Sequence, residues 1–196
     1  MNCSADRGLW ISLGLINLMT LMTLSLLVAP RPAVAIPPLI EYQNTAVAES
    51  VPDSVPATVG LPTRLVVPDL NIDLVVDMGS YDEVVGDWTL SYSSAMYADA
   101  SMPINNSNGV TLIYAHALSG LFGELVGIQP GMAADVYTDT GHKFVYQYTS
   151  VREVLPTDIS VFQAGGSPKI VLQTCSGPWD AYRSLYEFDF ISEARV

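Results

Sequence analysis

The sequence predicts an all-β domain, a closed antiparallel barrel with one or two short helices, preceded by one N-terminal transmembrane helix. Three observations lead there. Between residues 63 and 196, short runs rich in β-branched and aromatic residues are bounded by Gly, Pro, Asn and Asp. Only one segment in that region, Gly120 to Val126, has the look of a helix. The apolar excess of the chain, 49% hydrophobic against 14% charged, is concentrated at its amino end.

Residues 1–8 read as a short cytoplasmic tail. Leu9 to Ala29 then form 21 consecutive uncharged positions flanked by Arg7 and Arg31, which at about 1.5 Å per residue is a membrane-spanning length. Ala33-Val34-Ala35 also fits a signal-peptidase site, but the apolar region of a cleaved signal is usually only about 7 to 15 residues long. Length therefore favours an uncleaved signal anchor; either reading exports the rest of the chain. The expected location is the cell membrane, single-pass, with the carboxy-terminal domain extracellular. Residues 30–62 carry seven prolines, little charge and no helical period, and read as a Pro-rich extracellular stalk, part of which could instead dock along the domain as an extended arm.

Residues 63–196 are ample for one core. The predicted strands are 64–67, 72–77, 88–92, 110–114, 134–138, 144–149, 151–155, 170–174 and 184–191. So many strands in so short a domain favour closure, which removes exposed edges.

Composition excludes several functions. Eight Lys and Arg against 20 Asp and Glu give a net charge of −12, which excludes a nucleic-acid partner held by clustered basic side chains. The two cysteines, Cys3 and Cys175, flank the apolar run and are not expected to form a disulfide framework or a zinc site. No cofactor is predicted. Calcium could be attracted to the acidic surface, but no EF-hand-like loop places it.

Chemistry is expected at strand ends. His116 ends the run Val110-Thr111-Leu112-Ile113-Tyr114-Ala115, and Cys175 ends Ile170-Val171-Leu172-Gln173-Thr174. Arg183 opens the last strand, and if the last two strands pair as a hairpin, Cys175 and Arg183 face each other across its mouth. A thiol needs a neighbouring imidazole or guanidinium to act as a nucleophile near neutral pH. The three side chains supply the parts of an acyl transfer: sulfur to attack a carbonyl, imidazole to protonate the departing amine, guanidinium to stabilise negative charge or hold the substrate. Taken singly, each has a plainer reading: Cys175 as a small buried hydrophobe, His116 as a structural histidine, Arg183 as an ion-pair partner of Glu187 or Asp180. Taken together, and with a thiol retained in an exported domain as an oxidation liability, a shared functional use is the simpler account. His142, after Thr140-Gly141, is assigned to an exposed hairpin.

These residues resemble the sortase family. Leu172-Gln173-Thr174-Cys175 with Arg183 is similar to the T-L-x-T-C neighbourhood of sortases, and Thr111 to His116 to their hydrophobic strand ending in Gly-His, with a suitable spacing of 59 residues from His116 to Cys175. Arg64-Leu65-Val66-Val67-Pro68, Leu121-Phe122-Gly123-Glu124-Leu125 and Val154-Leu155-Pro156-Thr157-Asp158 resemble further segments of the family in the same order. Ala115 replaces the common Gly, and Gln173 and Ser176 are unusual neighbours of the cysteine, leaving the subclass open among class D/E/F-like members.

The resemblance implies an eight-stranded barrel over residues 63–196. It also implies transpeptidation of a Leu-Pro-x-Thr-Gly-like sorting motif through a thioacyl-enzyme, with a cell-wall precursor or a pilin lysine supplying the accepting amine. It carries Cys175 over as nucleophile, His116 as general acid and base, Arg183 as substrate and oxyanion ligand, and Thr174 as part of the oxyanion region. The alternatives are a cysteine hydrolase, a non-catalytic peptide-binding barrel, or a wall-anchored substrate. The last is suggested by Leu61-Pro62-Thr63 and Leu155-Pro156-Thr157 but lacks a following Gly and a hydrophobic tail.

Overall fold

A computed structural model describes residues 57–196. The expected tail and membrane anchor, and most of the stalk, lie outside the described residues. Among the described residues no helix is long and apolar enough to cross a membrane.

Eight strands close into a barrel: β1 (Pro62–Val67), β2 (Ile72–Gly79), β3 (Ala95–Ala98), β4 (Val110–Tyr114), β5 (Ala133–Thr138), β6 (His142–Val154), β7 (Lys169–Ser176) and β8 (Tyr182–Arg195). Their order around the barrel is β6-β8-β7-β4-β3-β2-β1-β5, and β5 returns to β6. The expected all-antiparallel pairing is corrected at two places, where β4 runs parallel to β7 and β2 parallel to β3. Parallel neighbours need long crossovers, and the 80–94 segment provides one between β2 and β3.

The strand boundaries reflect the physics of each segment. Asn71 closes the turn between β1 and β2 in the left-handed region, at φ 54°; Asn tolerates this conformation better than most side chains. The two runs expected at 144–149 and 151–155 are one strand, β6, which crosses its partner β8 with bulges between Val145 and Tyr146 and between Tyr148 and Ser150. Such irregularities bend a long strand around a barrel. The expected helix at 120–126 is a single 3₁₀ segment at Gly123–Gly127, and a four-residue helix, α1 (Ser160–Gln163), is present where the sequence pattern predicts none.

Val59–Gly60, expected in the stalk, pairs with Ile104–Asn105, and the Leu61 amide donates to Asp139 Oδ1 at 2.8 Å. The end of the proline-rich stretch therefore lies along the barrel.

Two apolar layers result. Leu65, Val136, Phe144, Ile170, Leu172 and Phe188, among others, fill the inside. On the outer side of β3, β4, β7 and β8, Met96, Leu112, Tyr114, Val171 and Leu185 form a second cluster under α1, whose Val161 packs into it. All of Val110–Tyr114 is buried because β4 is covered on both faces, which is why it reads as an unbroken hydrophobic run.

Candidate active site

The outer layer positions the candidate side chains. Along β7, Ile170 and Leu172 belong to the interior and Val171 to the outer cluster. The pleat alternates, so Gln173 and Cys175 share the outer face with Val171. In the ladder with β8, Cys175 stands directly opposite Arg183, and Gln173 opposite Leu185. The hairpin relationship read from the sequence is observed in this register.

Thr174 points the other way, and its hydroxyl donates to the Ala115 carbonyl at 2.9 Å. The Ala115 amide donates to the Gln173 carbonyl at 3.1 Å. These two bonds carry the β4–β7 pairing past its last ladder residue and hold the peptide preceding His116 against the end of β7. Just beyond, the His116 carbonyl accepts the Phe122 amide at 3.1 Å, closing the 116–123 loop. Glu124 Oε1 accepts from the Ser119 hydroxyl and the Gly120 amide, and these bonds hold its carboxyl below the ordinary carboxylate range.

Among the described residues, Cys175 and Arg183 line two different cavities. Cys175, only 6% exposed, lines a cleft of about 280 Å³ with Ala117, Phe122, Thr174 and Tyr186. Arg183, 3% exposed, instead lines a smaller cavity of about 60 Å³ with Tyr114, Val154, Ile159, Phe162 and Gln173. A larger recess of about 680 Å³ adjoins it between Tyr81, Trp88, Ile159 and Phe162.

Arg183 Nη1 donates to the carbonyls of Asp180 and Tyr182, each at 2.9 Å. Burial lowers the affinity of its guanidinium for the proton, opposed by the carboxylates of Asp180 and Asp87. Of the two ion-pair partners considered from sequence, Glu187 is engaged elsewhere, by Arg152 and Lys169. Asp180 meets Arg183 through its main chain.

The loop between β7 and β8 is conformationally unusual. Trp179 and Asp180 both have positive φ, at 57° and 56°, and Trp179 is 94% exposed. Left-handed non-glycine residues cost of order 1–3 kcal/mol each and cluster at functional sites.

Sequence reasoning missed several neighbours of the site. Trp88 stacks on Phe162 and meets Tyr114 edge-on, Ser176 donates to Glu153, and Tyr92 stacks on His116. All are contacts between segments distant in the chain, and no local spacing encodes them. His142 begins β6, with Nδ1 3.4 Å from Thr140 Oγ1, remote in sequence and ladder from Cys175.

The barrel thus sets a cysteine and an arginine opposite one another across its last two strands, with a histidine just past the end of the adjoining parallel strand. The sortase-domain family model matches residues 65–194. The chain belongs to the sortase family, whose domain is in general that of a cysteine transpeptidase. Solved structures with the same fold include Group B Streptococcus Pilus Island 1 sortase C2, at 19% identity and TM-score 0.56, covering 66% of this chain and 73% of that one. A lid mutant of sortase A from Corynebacterium diphtheriae matches at 20% identity and TM-score 0.56, covering 72% and 74%. Sortase A of Listeria monocytogenes matches at 17% identity and TM-score 0.55, covering 71% and 92%. No curated protein matches the chain in sequence.

Proposed function

We propose that this chain is a membrane-anchored, class D/E/F-like sortase. It cleaves a C-terminal sorting motif of the Leu-Pro-x-Thr-Gly kind and transfers the acyl part to an amine of the cell wall or of a pilin. The observation that carries the reading is the register pairing Cys175 with Arg183, with Ala115 and therefore His116 tied by Thr174 to the same strand end.

In the first half-reaction the Cys175 thiolate attacks the carbonyl carbon of the motif's Thr. A carbon–sulfur bond forms and the carbon–nitrogen bond to Gly breaks, the leaving amine taking a proton from His116. In the second, an incoming amine attacks the thioester, gives a proton to His116 and expels the thiolate. Arg183 stabilises the oxyanion or holds the peptide backbone, with Thr174 lining the same region. The apolar recess bounded by Trp88, Ile159 and Phe162 beside Arg183 suits the Leu-Pro end of such a motif. The run at Leu9–Ala29 anchors the enzyme with its barrel outside the cell. A pilin acceptor is retained because sortases with this fold include one from a pilus island and one described for pilin substrate specificity.

Because the chemistry needs Cys175 as its thiol, the test uses protein treated with a phosphine reductant. It is incubated with a pool of sorting-type peptides and with oligoglycine or lysine amines, and the products are read by mass spectrometry. A ligated peptide with a transient thioester at Cys175 is expected. Hydrolysed peptide alone, or no adduct at Cys175, overturns the proposal.

A further inference from the structure

His116 is fixed at its backbone by the Phe122 amide, but its ring is held differently. Nε2 is buried with no hydrogen-bond partner. Tyr92 lies against the face of the ring, stacked with centroids 4.6 Å apart and planes 17° from parallel.

Tyr92 comes from the crossover between β2 and β3 and is 81% exposed, so burial does not explain its position. Two anchors do. The Tyr114 hydroxyl, rooted in β4, donates to the Thr89 carbonyl at 2.8 Å, and the Thr89 amide donates to the Ser80 carbonyl at 3.0 Å. On the other side, Ser91 Oγ accepts the amides of Ser93 and Ser94, each at 3.1 Å, and the Ser94 hydroxyl at 2.8 Å. The short turn between these anchors delivers the Tyr92 ring onto His116, at the end of the strand that carries Tyr114.

We infer that Tyr92 is a positioning residue for His116, a face-on clamp that fixes the imidazole plane without taking up either ring nitrogen, which the proton transfers of both half-reactions require. The inference rests on the sortase reading. A carboxylate could orient the ring equally well, but only by occupying one nitrogen; a stacked phenol competes for neither. Aromatic stacking of this kind biases an orientation by about two- to tenfold.

The test uses the full-length reduced protein with Tyr92→Ala and Tyr92→Phe variants, assayed for ligation and observed by NMR at the His116 ring protons, assigned by their loss in His116→Ala. In Tyr92→Ala, kcat is expected to fall about three- to tenfold with KM little changed, and the His116 ring signals to move downfield as the shielding of the stacked ring is lost. Tyr92→Phe keeps both properties near wild type. A rise in KM with kcat unchanged would make Tyr92 a substrate contact. That result, failure of Phe to rescue, or unmoved His116 signals would overturn the inference. Full turnover by His116→Ala would instead defeat the sortase reading itself, and the clamp with it, whereas the ring signals report the stack independently of turnover.

Discussion

Cys175 and Arg183 are direct cross-strand partners near the open end of the β7–β8 ladder, eight residues apart in the chain yet opposite one another in register. The loop between them turns through two left-handed residues, and the Arg183 guanidinium is held by carbonyls of that loop. The site is thus built on two rigid strands, and its connecting loop supplies the arginine's supports.

Removing the sulfur should end turnover: Cys175→Ala is expected to give no ligated product in the reduced assay. Arg183→Ala should lower kcat/KM by about 10² to 10³, the scale for losing one charge partner of the transition state. Arg183→Lys should recover little, since an ammonium lacks the planar fork of donors. Initial rates of peptide ligation measure all three, and wild-type rates in any of them would contradict the assignment.

Thr174→Val keeps the shape and strand propensity of the side chain but leaves the Ala115 carbonyl without the hydroxyl that bonds it at 2.9 Å. The loss should be about 1–3 kcal/mol in chemical denaturation. Ligation should weaken too, because the peptide leading to His116 is tied to β7 through that bond. A variant with unchanged midpoint and unchanged rate would show the bond to be dispensable.

The barrel interior predicts a larger effect. Phe144 is fully buried between β5 and β8, and Phe144→Ala should cost about 3–5 kcal/mol, read as a lowered denaturation midpoint. An exposed control on the same strand, Val151→Ala at 47% exposure, should shift it far less.

The loop after His116 should respond to acid. Glu124 titrates below its ordinary value of 4.5 because Ser119 and Gly120 donate to its ionised carboxyl. A lowered carboxylate value favours the ordered loop above the unfolded value, and that contribution is lost as pH falls through the folded one. Amide exchange at Gly120, corrected for intrinsic rates, should therefore gain protection between acid and neutral pH in the wild type. Glu124→Gln should abolish that pH dependence.

Gly177 begins the β7–β8 loop at φ 76°, and a Cβ there would come within 2.6 Å of the Tyr182 ring. Gly177→Ala should displace Tyr182 and the main chain that holds Arg183. The expected readout is a fall in ligation rate greater than that of Gly165→Ala, where a Cβ meets nothing.

Much of this arrangement is legible in the residues. β1, β2, β4, β5, β7 and β8 arise from local apolar runs ended by turn residues, and the Cys175–Arg183 pairing comes directly from taking the last two strands as a hairpin. β3 is not legible, because Ala95-Met96-Tyr97-Ala98 lacks β-branched residues; it is a strand because β2 and β4 bind its two edges. Conversely, 88–92 has the composition of a strand but pairs only at Asp87–Trp88. Beyond that point Tyr114 and Ser80 take up the Thr89 main chain in non-ladder bonds.

By itself the sequence determined the all-β class, the family and the identities of the candidate side chains, because short-range patterning and residue chemistry are local properties of the chain. Only the tertiary structure decided the two parallel pairings, the different cavities that Cys175 and Arg183 line, and the Tyr92 ring lying on His116. Each of these depends on which distant segments meet, a choice made by closure of the barrel and burial of its outer layer rather than by any residue's neighbours in the chain.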